Sequence, residues 1–167
     1  MSGPLDELLD LLDDSGEVIG TIWRSASDET RNIRSVNAFV KNRAGEVFIP
    51  QRTAHKARFP GALDFSVGGC VQAGERYDDA LRREAREELN LDVDAYGFYK
   101  LADFNPHVTD LSSFMRVYEI RTDQTPHLNL DDFSGGQWLS CADLRTRLNK
   151  KEAAKGDLLK VLNLLSM

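Results

Sequence analysis

The chain has no apolar run long enough to cross a membrane. Its opening, Met1-Ser2-Gly3-Pro4-Leu5-Asp6-Glu7, is acidic and has no apolar stretch of signal-peptide length. Cysteine is scarce: Cys70 and Cys141 supply neither a disulfide framework nor the spacing of a thiolate metal site, so a reducing cytoplasmic location is the expectation. Repeats, low-complexity tracts and any linker able to separate two domains are also missing. Positive charge is in short supply, with 21 Lys and Arg against 27 Asp and Glu, a formal net charge of −6. That balance argues against a nucleic-acid polymer or an anionic membrane as partner. It leaves room for a small anionic substrate, provided bound cations and a local basic patch reverse the field where it binds. What remains is ordinary: 167 residues, 41% hydrophobic and 29% charged, the composition of one soluble domain spanning residues 1–167 with a core of its own.

Hydrophobic periodicity and turn residues divide that domain into elements. Leu8–Leu12 and Val18–Trp23 flank Asp13-Asp14-Ser15-Gly16-Glu17 and read as a hairpin over residues 8–23. Ser35–Lys41 and Val47–Gln51 flank Asn42-Arg43-Ala44-Gly45 in the same way. A loop over Arg52–Leu63 leads to a short strand expected at Asp64–Val67, running into Gly68-Gly69. Tyr77, Ala80, Leu81, Ala85 and Leu89 recur at helical spacing, so Arg76–Leu89 is expected as an amphipathic helix. Further strands are expected at Tyr96–Phe104, Ser113–Arg121 and Gln137–Leu139, with helical segments at Cys141–Asn149 and Glu152–Leu165. Hairpins interspersed with helices predict an α/β protein, a mixed sheet covered by helices on its faces.

The chemistry concentrates on the first of those helices. Glu84, Glu87 and Glu88 stand at i, i+3 and i+4, so their carboxylates leave one face together. Like charges so placed destabilise a helix unless something neutralises them. Arg82, Arg83 and Arg86 can do this on a solvated face, and a hard divalent cation such as Mg²⁺ or Mn²⁺ can do it in a site. Gly68-Gly69 lies just upstream, where missing side chains let backbone carbonyls and a phosphate approach. Such an arrangement can polarise a phosphoryl oxygen and activate water.

The wider spacing decides between those uses. Gly69, five residues, Glu75, seven residues, Arg83-Glu84-Ala85-Arg86-Glu87-Glu88 and then Leu91 resembles the Nudix box, G-x5-E-x7-R-E-U-x-E-E-x-G-U, at every position but Asn90. Six fixed identities coincide by chance on the order of once in ten million starts. Asn90 stands where the family has glycine, and Asn is the side chain that best tolerates the left-handed conformation ending a helix. The resemblance implies an α/β/α sandwich and a pyrophosphohydrolase. It also implies a loop–helix–loop over residues 69–91 with a Mg²⁺ or Mn²⁺ site made by Glu84, Glu87, Glu88 and the Gly69 carbonyl. Glu84 is implied as a base toward water, and Glu75 and Arg83 as a structural ion pair. A further acid from outside the box is implied too, with Asp110, Glu119, Asp131 and Asp132 as candidates.

No acidic residue occurs between Pro50 and Leu63, so this loop is a basic lead-in to the glycine turn. Gln51-Arg52, Lys56 and Phe59-Pro60-Gly61, with Asn37-Ala38-Phe39 before them, resemble the isopentenyl-diphosphate isomerase branch, in which the Arg and Lys hold the diphosphate. Arg52 and Lys56 are therefore the substrate-binding candidates. Isomerase chemistry itself is disfavoured: glycine (Gly68) occupies the position of the catalytic cysteine, and Leu111 and Ser113 fall where the isomerases have a Glu-x-Glu pair. A non-catalytic ligand-sensing domain is a third reading, against which the complete set of glutamates counts. The substrate expected is a small nucleoside di- or triphosphate or a nucleoside diphosphate derivative. Trp23, Phe65, Phe104, Phe114, Tyr118 and Trp138 are candidates to stack a base. The family's frequent dimers make a homodimer an open expectation.

Overall fold

The computed structural model describes residues 5–167; the first four residues of the acidic opening lie outside them. The hairpin expected over residues 8–23 forms, with β1 at Leu8–Leu12 and β2 at Val18–Trp23 antiparallel. β3 (Arg34–Lys41) and β4 (Glu46–Arg52) follow, then β5 (Val67–Cys70) and α1 (Tyr77–Leu89). α2 (Val93–Tyr96) is a single turn that leads into β6 (Phe98–Phe104), and α3 (Pro106–Thr109) precedes β7 (Phe114–Arg121). β8 (Phe133–Ser140), α4 (Cys141–Asn149) and α5 (Leu158–Leu164) complete the fold.

Alternation along β3 explains the layering. Val36, Ala38 and Val40 join Leu81, Ala85 and Leu89 of α1 in one apolar cluster. Phe39, on the opposite face, joins Leu144 and Leu148 of α4 and Leu158, Val161 and Leu162 of α5 in another. β7 divides in the same way, with Tyr118 and Ile120 toward α1 and Met115 and Val117 toward α4 and α5. The result is a mixed sheet between helical layers, an α/β/α sandwich. No helix among the described residues is long and apolar enough to cross a membrane.

The sheet runs β6-β7-β3-β4-β8, with β3 parallel to β7 and the other neighbours antiparallel. The second edge of β3 is divided. β5 pairs with Ser35–Ala38, whereas β4 meets it only at Lys41. The chain thus leaves the end of β4 at Arg52, loops outward, and returns at Val67 on the neighbouring edge.

Several boundaries differ from expectation. The strand expected at Asp64–Val67 begins at Val67 and carries Gly68 and Gly69 within it. Asp64 is instead held back by a hydrogen bond from its own N–H to Pro50 O (3.0 Å). The first residue of the expected Tyr96–Phe104 strand, Tyr96, ends α2 and Gly97 caps it, so the strand starts at Phe98; Asp92 caps the other end of the turn at Asp94 N. β8 extends well beyond Gln137–Leu139, because β4 offers it partners from Glu46 to Arg52. The last helix starts at Leu158 and not at Glu152, since Ala154 is drawn out as a bridge partner of Leu63.

Candidate functional site

α1 places three acids on the same side as β5 for reasons that are local. Asp78 and Asp79 occupy its first turn, where a helix favours negative charge. Asn90 ends it in the left-handed conformation, φ 51°, while Leu91 N–H bonds to Ala85 O (3.1 Å) and Asn90 N–H to Arg86 O (3.1 Å). The Asn90 amide also donates to His127 O (2.8 Å), a contact glycine cannot make. The mismatch in the motif therefore leaves the cap intact.

Between these ends, Glu84 is 8% exposed and faces Gly69. Any side-chain carbon at Gly69 would overlap the Glu84 carboxylate, which is why this position is glycine. Glu88 turns under the neighbouring residue and accepts the Gly68 N–H at 2.9 Å. Glu87 points outward, with Arg83 3.6 Å away. Burial pushes the Glu84 carboxyl up to about 7, against the pull of Arg83. Glu88 is raised well above the ordinary carboxylate range by burial and by the charges of Glu84 and Asp64.

Arg83 braces the turn before the helix. It makes two bonds to Glu75 (2.9 and 3.0 Å), one to Glu84 (2.7 Å) and one to the Cys70 carbonyl (3.0 Å). Burial works to raise Glu75, but the guanidinium overrides it and holds that carboxyl below its ordinary value.

These residues line a cleft of about 1050 Å³. Gly68, Gly69, Glu84, Glu87 and Glu88 line one part of it. Arg52, Lys56, Arg58 and Phe59 come from the loop after β4, Lys155 from the segment before α5, and Glu7, Trp23 and Arg24 from the N-terminal hairpin and its flanks. Both expected substrate-binding cations, Arg52 and Lys56, are therefore present, but each already has an acid. Arg52 Nη1 donates to Asp64 at 2.8 Å and its other nitrogens to the Arg58 carbonyl, while Lys56 pairs with Asp132.

Of the four acids proposed from outside the motif, only Asp132 reaches the cleft. Asp110 faces Arg31 and Lys160 elsewhere, Glu119 is buried on β7 beside Arg121, and Asp131 is exposed. Sequence reasoning missed Asp64, a buried acid between Arg52 and Lys155 (2.8 and 3.8 Å). It also missed Lys155, brought in by the pairing of Leu63 with Ala154. The signal for Asp64 in the sequence is its place as the first acid after the acid-free stretch from Pro50 to Leu63. Among the base-stacking candidates, Phe65, Phe114 and Tyr118 are buried in the core and Trp138 packs on Phe48, whereas Trp23 stands in the cleft.

Among the described residues, no three His, Cys, Asp or Glu side chains converge as a ready-made metal cluster. The donor set nevertheless fits a hard cation. It offers carboxylate oxygens and a backbone carbonyl on a glycine strand, and two of the carboxyls, Glu84 buried and Glu88 half-buried, have raised proton affinity. The arrangement is unfit for isomerase chemistry. A side-chain carbon at Gly68 would lie 2.5 Å from Asn37 Oδ1, Leu111 is wholly core, and the buried Ser113 hydroxyl is bonded to that of Ser35.

Residues 31–162 match the family model described as NUDIX domain. The chain is 52% identical over 159 residues to a Nudix hydrolase of Deinococcus radiodurans, covering 95% of this chain and 93% of that protein. Its fold superposes on the crystal structure of DR0079 from Deinococcus radiodurans with a TM-score of 0.93 at 49% identity, covering 96% of this chain and all of that one. It is more distantly similar, 29% identical over 142 residues, to isopentenyl-diphosphate Δ-isomerase of Escherichia coli, covering 80% of this chain and 77% of that enzyme.

Proposed function

This chain belongs to the Nudix family, a pyrophosphohydrolase acting on a phosphoanhydride bond in a small phosphorylated compound, and we propose that the compound is a nucleoside di- or triphosphate or a nucleoside diphosphate derivative, hydrolysed with Mg²⁺ or Mn²⁺. The observation that carries the proposal is the pair of carboxylates, Glu84 buried and Glu88 half-buried, set against Gly68-Gly69 in a cleft that also gathers Arg and Lys from three segments.

Glu84, Glu87, Glu88 and the Gly69 carbonyl would hold the cation. Bound there, it supplies Lewis acidity toward a phosphoryl oxygen and makes a water more nucleophilic. The protein's own groups do the rest. Glu84, facing the glycine strand, would take a proton from the attacking water. Lys56 and Arg52 face the cleft from the loop and hold the phosphate that is not attacked. Glu75 and Arg83 keep the turn into α1 in place, so the glycine strand and the acids retain their spacing.

A screen of phosphate release across nucleoside diphosphates, triphosphates and diphosphate-linked nucleosides tests the reading. Turnover that requires Mg²⁺ or Mn²⁺ and ceases in excess chelator is expected. Full activity in chelator sinks the metal assignment, and no turnover of any nucleotide sinks the substrate class.

A further inference from the structure

The two tryptophans of the chain occupy opposite kinds of place. Trp138 is fully employed: its ring packs edge-on against Phe48 at 5.4 Å and its indole N–H donates to Thr125 Oγ1 at 3.0 Å. Trp23 is 53% exposed, lines the catalytic cleft, and its indole N–H has no hydrogen-bond partner among the described residues. Exposed apolar side chains are common on a protein surface, but Trp23 stands inside the cleft beside Leu8, where an indole face is open to whatever the cleft holds.

The strand bearing Trp23 is fixed to the site and not free beside it. Leu8 lies opposite Trp23 in the β1–β2 register and also lines the cleft. The neighbouring Leu9 bridges to Gln72 in the turn before α1, Ala73 N–H bonds to Leu8 O (2.8 Å), and Gly74 N–H bonds to Asp10 (3.0 Å), which also pairs with Arg34 (2.6 Å). The hairpin is thus tied to the turn that precedes the catalytic glutamates. It lies wholly outside residues 31–162, the span matched by the family model.

A second exposed aromatic lines the same cleft from the basic loop. Phe59, 44% exposed, has a φ of 49°, a backbone conformation that aromatic residues rarely adopt. Its ring rests near Gly156, which also lines the cleft. Burial does not explain a strained backbone that holds a phenyl ring half in solvent. Contact with a ligand would.

We infer that the N-terminal hairpin is part of the active site, and that Trp23, seated beside Leu8, is the platform on which the nucleobase of the substrate stacks, with Phe59 contributing a second apolar surface. The inference rests on the nucleoside reading above and names the group that selects the base-bearing end. Stacking on an indole is tolerant of base identity, so the platform distinguishes nucleotides from ring-free diphosphates and not one base from another.

The test is a fluorescence titration of the metal-free protein with a nucleoside monophosphate and, separately, with ribose 5-phosphate. Quenching by the nucleotide alone is expected, and it should vanish in Trp23→Phe, whose only remaining tryptophan is Trp138. Steady-state kinetics supply an independent readout. Trp23→Ala should raise KM for a nucleoside diphosphate about tenfold with kcat within about twofold, and Trp23→Phe should recover most of the loss. Equal quenching by ribose 5-phosphate, no quenching by the nucleotide, or an unchanged KM in Trp23→Ala each overturns the inference. Wild-type turnover of nucleotides that is indifferent to Trp23 defeats this inference alone. Absence of any nucleotide turnover defeats the substrate reading, and the titration still decides whether Trp23 binds a base.

Discussion

The two charged regions of the cleft solve opposite electrostatic problems. Around α1 and β5, like charges are brought together and left short of cations: Glu84 has Arg83, Glu88 has the Gly68 N–H and the more distant Lys155, and both carboxyls are driven toward their neutral forms. On the loop after β4, the cations are already matched, Arg52 with Asp64, Lys56 with Asp132 and Arg58 with Asp28. One region has more negative than positive charge and, on the proposed function, would be completed by a cation. The other is already matched, and on the proposed function a phosphate would have to compete for its cations. An acidic protein can in this way take an anionic substrate without a broadly basic surface, because the reversal of charge is confined to the site.

The sharpest way to break the comparison is on the acidic region. Glu88→Gln or Glu87→Gln should lower kcat by about a thousandfold while leaving the circular dichroism spectrum and the melting behaviour of the folded protein in place. Near-wild-type turnover of either variant would show that the carboxylates are merely a surface charge cluster.

On the basic loop the large effect should be on stability. Arg52→Ala leaves Asp64, whose side chain is 3% exposed, without its near cation; Lys155 stays 3.8 Å away. Removing one partner of a buried pair costs about 3 kcal/mol. Chemical denaturation of Arg52→Ala should show that loss, and adding Asp64→Asn should recover most of it. A variant as stable as wild type, with only KM raised, would mean that Arg52 is reserved for substrate and that the pairing is incidental.

The pH dependence of the metal-free protein separates the regions again. Glu84 has an ordinary value of 4.5 when unfolded and about 7 in the folded chain, so the unfolded state ionises first as pH rises. Its contribution to stability is therefore lost between about pH 4.5 and 7 and stays lost above, a penalty of about 3 kcal/mol. Thermal melts in chelator should show wild type losing ground to Glu84→Gln across that window, and saturating Mg²⁺ should restore wild type at pH 8. Parallel melting curves for the two proteins across the window would place the Glu84 carboxylate in water.

What was legible beforehand follows from the range of the forces involved. The spacing of Leu81, Ala85 and Leu89 announced α1, and the turn Asn42-Arg43-Ala44-Gly45 announced the strands on either side of it, because each signal is complete within a few residues. That the two strands would pair only at Lys41 and Val47, with β5 taking the rest of that edge of β3, was not announced. The full length of β8 was hidden, since Gly135 and Gly136 have little intrinsic strand preference and are held by pairing with β4. Lys155 and Asp64 meet across ninety residues of chain, through a bridge between Leu63 and Ala154 that no local pattern announces. The motif located the acids because their geometry is that of one helix. It could not locate the residues that come to them from other elements.

The smallest effect is expected where sequence and motif disagree. Asn90→Gly would remove the strain of an L-residue at φ 51° and with it the bond from the Asn90 amide to His127 O (2.8 Å). Relief of the left-handed conformation and loss of one exposed hydrogen bond are each worth about 0.5–1 kcal/mol, in opposite directions. The net change in stability should stay within about 0.5 kcal/mol by urea denaturation, with kcat within about twofold. A large loss of activity would mean that the cap positions Glu87 and Glu88 through the His127 contact, joining the end of α1 to the chemistry. The expected near-neutrality would mean that the acidic region depends on where its carboxylates stand along the helix and not on which residue ends it.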